Sequence, residues 1–382
     1  MGGVASFNRN VLNYFDRSLV YVRVILIGVK EVLRVEIQEG FNCDELLYFT
    51  YSQFDNYHYV LKRLGLSIGN DTDIVLTDNA LTLNALRMSQ SQSVVHYLNH
   101  DFFYVKQVLS HANDIDYSIA HSQFFNDCLA SADFNSFENK LIHLPYGVEI
   151  PENIKKSKND KLKLVFLGRL DYSKGILSLI DIETELTTSQ IDVDWLIIGD
   201  GPLKEQVFML WQGKENVSFQ QPDTTEQVYE LLQNQDILIF PSLFEGTPVA
   251  IFEAIACGCV PIVYDIPGGV REYLKDDFSV KVRPKDTQAI LNKISSLHSD
   301  RETLAQMQKT ALNFSIQHLD QKKQNKKYFD FIYHSRAQNR NKSRSVHKLG
   351  FLDHKMLPNF ASHFIKYTLA ATKKVLKKSI KN

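Results

Sequence analysis

The sequence predicts an α/β chain built from two parallel-sheet domains, and three observations carry that prediction. Short apolar runs alternate with amphipathic helical patterns from about residue 20 to about residue 300, which pairs strands in parallel through right-handed crossovers. The 382 residues are long for one core and comfortable for two domains. A polar, lysine-rich, unpatterned stretch between Pro151 and Lys161 has the composition of a boundary. The expected division is 1–155, 156–333 and a basic tail 334–382.

The first domain opens on Met1-Gly2-Gly3-Val4, leading straight into a helical pattern of Val4, Phe7, Val11, Leu12 and Phe15. Val20 to Val29 reads as a strand and Asn56 to Leu64 as a helix ended by Gly65. Strands then follow at Asp73 to Thr77, Val94 to Leu98 and Asp116 to Ala120. Helices alternate with them at Ala80 to Met88, Phe102 to Leu109 and Gln123 to Leu129. His100-Asp101 stands just after a strand end, where open α/β sheets bind ligands. His100 is therefore the candidate histidine, with His96, inside the strand, second. Taken alone, a histidine more often makes a structural hydrogen bond.

The second domain begins with the strand Leu162 to Leu167 and the loop Gly168-Arg169-Leu170-Asp171-Tyr172-Ser173-Lys174-Gly175. Arg169 and Lys174 in one loop can set two cations on a diphosphate. The strand Trp195 to Ile198 precedes Gly199-Asp200-Gly201-Pro202. That turn lacks the third glycine and the ribose-binding acid of a dinucleotide fingerprint, which argues against NAD. Val217 to Gln220 is a short strand.

The densest chemistry lies between Asp236 and Gly269. A buried-type strand, Asp236 to Phe240, runs into Pro241-Ser242-Leu243-Phe244-Glu245-Gly246. Thr247 reads as an N-cap with Pro248 at the first helical position. That helix stops near Cys257-Gly258, and a second buried strand covers Val260 to Tyr264. A helix N-terminus offers unpaired N–H groups that suit a phosphate. Gly246 lets backbone approach a ligand. Glu245 in the loop can accept hydrogen bonds from sugar hydroxyls, and Glu253 in the helix can bind a ribose diol. Either glutamate alone would more often be an ordinary solvated residue. Beyond this unit, Asp286 to Leu297 and Glu302 to Phe331 are helical, the latter crossing back toward the first domain.

Composition is that of a globular protein, 44% hydrophobic and 23% charged. Cys43, Cys128, Cys257 and Cys259 show no metal spacing or disulfide framework, and such thiols suit a reducing cytoplasm. No secretory leader and no apolar run of transmembrane length are evident. The net charge of −1 hides an asymmetry: from His334 onward stand twelve Lys and Arg against the single acid Asp353. Asn359 to Ile380 places Ile365, Leu369, Leu376 and Ile380 at helical spacing among Lys366, Lys373, Lys374, Lys377 and Lys378. Such a helix can lie on an anionic membrane surface or dock on an acidic face of its own protein. The rest of the chain is acidic, which argues against nucleic acid.

The pattern Pro241-Ser242-x-x-Glu245-Gly246-x-Pro248, with seven residues between Glu245 and Glu253, resembles the retaining nucleotide-sugar glycosyltransferases of family 4. The resemblance implies a GT-B fold: two Rossmann-like domains facing an interdomain cleft. It also implies that Glu245 contacts the donor sugar and Glu253 its ribose. Arg169 and Lys174 would hold the donor diphosphate in place of a metal, and His100 would face the sugar. Gly168, Gly199, Gly201, Gly246, Thr247 and Val249 would line the donor. In such proteins a paired-glycine loop follows a first parallel strand, so Gly3 would stand near the donor. No strand precedes it here: either the true start lies further upstream or the strand is lacking, and in the second case the first sheet has an unfilled position near the site. The linker motif, usually Pro-Asn-Gly-Val, stands as Pro145-Tyr146-Gly147-Val148.

The implied activity is transfer of a sugar, with retention, from a nucleotide diphosphate donor to a hydroxyl on a glycan or lipid-linked acceptor. That fits cell-surface polysaccharide or glycoconjugate synthesis, in the cytoplasm or peripherally on the inner face of the membrane. The co-substrate would be UDP- or GDP-linked, with no further cofactor. A sugar-nucleotide epimerase of the same fold and a non-catalytic nucleotide-sugar-binding scaffold are the alternatives.

Overall fold

The computed structural model describes residues 3–30, 40–152, 154, 161–336 and 350–379. The first domain holds β1 (Arg23–Val29), β2 (Glu45–Tyr51), β3 (Ile74–Thr77), β4 (Val94–Asn99), β5 (Tyr117–Ala120) and β6 (Leu141–His143). The second holds β7 (Leu162–Leu167), β8 (Val193–Ile198), β9 (Val217–Gln220), β10 (Ile237–Phe240), β11 (Val260–Tyr264) and β12 (Val280–Val282). Every pair of neighbours is parallel. The second sheet is doubly wound in the order β12-β11-β10-β7-β8-β9. This is the GT-B architecture: two Rossmann-like α/β domains.

Strands buried on both faces carry near-continuous apolar runs, and every residue of β10 and β11 is buried. Each fully buried Leu or Ile contributes roughly 1.5–3 kcal/mol over exposure. The strands β2, β6 and β12 have no counterpart in the sequence reading, since runs of three to seven residues with mixed burial give no clear period.

The first sheet is split. The strands β1 and β2 form one two-stranded piece and β3-β4-β5-β6 another. Between them lies a cavity of about 1270 Å³ lined by residues of both facing edges, Val24 and Leu26 on β1, Val75 and Thr77 on β3. Met1 and Gly2 lie outside the described residues, and Gly3 is the first residue of the helix Gly3–Leu12.

Several boundaries differ from expectation. The helix over Tyr57–Ile68 runs through Gly65 and ends at Gly69, whose φ of +82° suits glycine. The single helix expected from Glu302 to Phe331 is two, Arg301–His318 and Gln321–Ser335, the second capped by Asp320 accepting from Lys323 N at 2.9 Å. That second helix does cross back to the first domain, through Ser335 to His96 and Tyr328 to Leu144.

The tail helix Asn359–Ser379 docks on the first domain. The Asn359 side chain accepts from Asn56 N at 2.6 Å, and Asn56 Nδ2 donates to Leu357 O at 2.7 Å. Lys366 donates to Asp55 O at 2.9 Å and to Asp353 at 2.5 Å. That lysine is therefore engaged within the protein, not free for a bilayer. Ile380 lies outside the described residues. No helix among those described is long and apolar enough to cross a membrane.

Candidate active site

In the second sheet the strand order reverses between β7 and β10, and the crevice beyond the carboxyl ends at such a switch point is where open α/β sheets bind ligands. Two loops flank it, residues 168–175 after β7 and 241–248 after β10. They are stitched together. Leu243 N donates to Ser173 O at 2.8 Å, and Ser242 Oγ reaches the same carbonyl at 3.2 Å. Gly175 sits at φ +69°, and a side chain there would run into the Pro241 carbonyl.

Lys174 Nζ donates to Glu245 Oε1 across this junction at 2.7 Å. Glu245 is 7% exposed and Lys174 24%. Burial pushes the Glu245 carboxyl above its ordinary range, while the Lys174 charge and hydrogen bond pull it back. Asp171 sets where Lys174 begins, its Oδ1 accepting from Ser173 N at 2.9 Å and Lys174 N at 3.2 Å. Arg169 does not join the pair. Its guanidinium lies 3.4 Å from Asp171 and its side chain is 69% exposed.

The glycines have separate physical reasons. A Cβ on Gly199 would strike the Gly168 carbonyl, and one on Gly201 the Leu170 carbonyl. Both are bare because the loops after β7 and β8 press on each other. Gly246 packs across the domains: a Cβ there would collide with the carbonyl of His100 and touch Asp101. The two candidate elements from opposite halves of the chain thus meet backbone to backbone.

The helix N-terminus differs from the sequence reading. Pro248 takes the N-cap position and the helix spans Val249–Ala256, with no side-chain cap. Thr247 does not cap, and its buried Oγ1 has no hydrogen-bond partner among the described residues. Val249 N donates to Thr247 O at 2.9 Å, so that amide is engaged. Glu253 is half-buried in the same helix, and no ion-pair or hydrogen-bond partner is found for its side chain among the described residues. Burial raises its carboxyl to about 7. Tyr146 and Tyr229 lie near enough for its charge to raise both phenols, behind the larger effect of their own burial. The closeness of Glu253 to Tyr146 puts the variant linker residue at the domain junction.

His100 sits at the carboxyl end of β4, its side chain 11% exposed. Its Nδ1 lies 3.0 Å from His121 Nε2. His121 Nδ1 lies 2.6 Å from Tyr328 OH, which itself donates to Leu144 O at 2.5 Å. These distances assign the protons. Tyr328 has one, and a 2.5 Å separation from a carbonyl places it there. Tyr328 then accepts from His121 Nδ1–H. Burial lowers His121 to about 4, leaving it neutral, so its Nε2 accepts from His100 Nδ1–H. His100 Nε2 is left a bare acceptor, buried and without a hydrogen-bond partner among the described residues, 3.8 Å from Asp78. Burial lowers His100 as well, with neutral His121 beside it. His96, by contrast, is tied to Ser335 Oγ at 2.8 Å and stacked on Tyr117.

Sequence reasoning missed a second cross-domain contact. The helix Gln123–Ala132 has no side-chain cap of its own. Glu272 from the second domain supplies one, accepting from Gln123 N at 2.8 Å and Ser122 Oγ at 2.5 Å. Its other oxygen lies 3.1 Å from His143. The neighbouring Tyr273 donates to His121 O at 2.6 Å. Spacing along the chain gives no signal for partners 150 residues apart.

Residues 149–314 match the family described as Glycosyl transferases group 1. TuaC of Bacillus subtilis (strain 168), named for teichuronic acid biosynthesis, is 32% identical over 164 residues, 40% of this chain and 40% of TuaC. The phosphatidylinositol N-acetylglucosaminyltransferase gpi3 subunit of Schizosaccharomyces pombe is 29% identical over 148 residues, 38% of this chain and 32% of that protein. The matched part of the chain therefore spans two fifths or less of each of these relatives. Among solved structures, Anabaena Alr3699/HepE in complex with UDP-glucose superposes with a TM-score of 0.71 at 17% identity. That superposition covers 87% of this chain and 96% of the other. The apo lipopolysaccharide outer core galactosyltransferase WaaB gives 0.68 at 16%, covering 88% and 96%. The group 1 match thus covers most of the second domain, and the architecture of both domains is that of the GT-B fold.

Proposed function

We propose that this protein transfers a sugar, with retention, from a nucleotide diphosphate-sugar to a hydroxyl acceptor in glycan or polysaccharide synthesis. The observation that carries the reading is the Lys174–Glu245 pair at the switch point, in a loop whose Gly246 packs against the His100 carbonyl. In this reading Lys174 and Arg169 take the donor diphosphate and stabilise charge growing on it as it leaves. The orphaned Thr247 hydroxyl suits a phosphate oxygen. Glu245 orients the sugar, and Glu253 accepts from the ribose hydroxyls.

The bond from the anomeric carbon to the diphosphate oxygen breaks as the acceptor oxygen bonds to the same face. The acceptor's proton passes to the departing phosphate. The donor is UDP- or GDP-linked and the acceptor a glycan or lipid-linked saccharide. A thermal-shift series with UDP, GDP, UDP-glucose and GDP-mannose tests the site. Stabilisation by one base family and its loss in Arg169→Ala are expected, and no stabilisation by any of them would favour a scaffold. Incubation with a stabilising sugar nucleotide alone, followed for isomer formation, separates transfer from epimerisation.

The second element of the proposal is a peripheral membrane position. The tail helix docks by one side, through Asn359, His363 and Lys366. It leaves Phe360 and Phe364 exposed, with Phe351 and Met356 exposed nearby. Apolar rings beside a lysine-rich tail suit an anionic interface. Sedimentation with phosphatidylglycerol vesicles, but not with phosphatidylcholine vesicles, is the expected result. Equal recovery in both supernatants would remove it.

A further inference from the structure

Between the loop 241–248 and the first domain stands a helix of five residues, Gly269–Tyr273, that touches both. Its first turn is packed on the loop. Gly269 N donates to Gly246 O at 3.3 Å, and a Cβ on Gly269 would strike the Pro248 ring. Its last turn is bound to the first domain. Glu272 Oε2 accepts from Ser122 Oγ at 2.5 Å and Gln123 N at 2.8 Å, and Tyr273 OH donates to His121 O at 2.6 Å. The one Tyr273 proton lies on that carbonyl, so His143 Nε2, 3.0 Å from Tyr273 OH and 3.1 Å from Glu272 Oε1, carries a hydrogen and donates to them. Burial acts to raise the Glu272 carboxyl, but hydrogen bonds from His143 and Ser122 outweigh it and hold the group below its ordinary range. The anion also meets the amino end of the helix Gln123–Ala132, which has no side-chain cap of its own.

These contacts lead straight to the candidate histidine. His121, whose carbonyl takes the Tyr273 proton, is the residue whose ring accepts from His100 Nδ1–H. No backbone hydrogen bond joins Gly246 to His100 among the described residues. The register of these two edges of the cleft is therefore left to contacts elsewhere, and Glu272 and Tyr273 supply them. We propose that Glu272 is a positioning residue for sugar transfer: with Tyr273 it fixes the His121–His100 pair of the first domain against the Lys174–Glu245 loop of the second. It acts through Ser122, Gln123 and His143 rather than on substrate. The short helix works as a spacer, hydrogen-bonded to the loop at Gly269 and to the first domain at Glu272. Removing the Glu272 carboxylate frees the far end of that spacer, and the two edges lose their fixed separation.

The kinetic arm of the test rests on the transferase reading, and the exchange arm does not. Glu272→Ala is expected to lower kcat/KM about 100-fold, the order that a displacement of about 1 Å at a reacting centre costs. UDP or GDP, whichever stabilises the wild type, should raise Tm as before, because Lys174 and Glu245 stay in place. Glu272→Gln keeps an acceptor for Gln123 N and should recover most of the lost kcat/KM. Equal kcat/KM in Glu272→Ala and wild type overturns the proposal. So does a lost nucleotide shift, which would make Glu272 part of the donor site itself. Amide exchange followed by mass spectrometry reads the tether without activity. In Glu272→Ala it should quicken roughly tenfold, the scale of a lost helix cap, at 121–126 and also at 101–105 beside Gly246. Quickening confined to 121–126 means a local cap only and overturns the proposal. If Glu272→Ala does not fold, Ser122→Ala removes one contact from the opposite side and should quicken the same two segments, with quickening at 121–126 alone again overturning it. A wild-type protein that turns over no sugar nucleotide defeats the transferase reading and leaves the exchange arm to decide the tether.

Discussion

Replacing Lys174 with Ala removes the cation that pairs with the buried Glu245 carboxylate and leaves a charge 7% exposed. Breaking a buried pair by taking one partner costs about 3–5 kcal/mol. Lys174 itself is 24% exposed, so water screens part of the interaction, and a loss of ~2–3 kcal/mol is the expected stability change. The sign with pH follows from the direction of the shift. Glu245 already sits above its ordinary value because of burial, and without Lys174 it rises further. The penalty belongs to the ionised form, so it is largest near about pH 8 and shrinks toward about pH 5 as the carboxyl takes a proton. Urea unfolding of the wild type, Lys174→Ala, Glu245→Gln and the double variant at both pH values measures the coupling. The double variant is expected to be more stable than Lys174→Ala. A Lys174→Ala protein as stable as wild type at the higher pH, or a double variant no better than the single one, would refute the reasoning. Loss of transfer in Lys174→Ala is expected alongside, but it is readable as a catalytic effect only at a temperature where that variant is folded.

Three further outcomes follow from the geometry. Glu253 is raised from 4.5 to about 7 by burial, so ionising it costs stability as pH climbs between those values. Glu253→Gln should stabilise the apo protein by roughly 2–3 kcal/mol above about pH 7 and by nothing below about pH 4.5; a pH-independent difference in unfolding free energy would contradict this. Gly246→Ala drives a Cβ into the His100 carbonyl, and a displacement of about 1 Å at the site should cost on the order of 100-fold in kcat/KM; unchanged turnover would sink the contact. Tyr328→Phe removes the closer acceptor of His121 Nδ1–H and leaves only Leu144 O at 3.3 Å, loosening the tautomer of His121 and hence of His100. It should lower kcat about tenfold and alter the pH profile, whereas a fall in Tm with an unmoved profile would mean that Tyr328 only packs.

The loop–helix–strand unit from Asp236 to Tyr264 was legible because its signals are local. An all-apolar strand, a turn proline, a glycine and a helix within thirty residues each act on their own neighbours. The parallel α/β class was legible for the same reason, from strands alternating with helices over most of the chain. The exact helix start was not: Thr247 has the right chemistry to cap, yet packing turned its hydroxyl inward and gave Pro248 the position.

What the sequence could determine alone was periodicity and short-range chemistry, because these depend on residues within a few turns of one another. Only the tertiary structure decided that Lys174 meets Glu245, 71 positions away, and that Glu272 caps a helix of the opposite domain. It also decided that His100 presents a bare Nε2, since that follows from a proton on Tyr328 more than 200 residues later. Contacts across such separations are fixed by how two sheets and a returning helix pack, and no spacing rule along the chain encodes them.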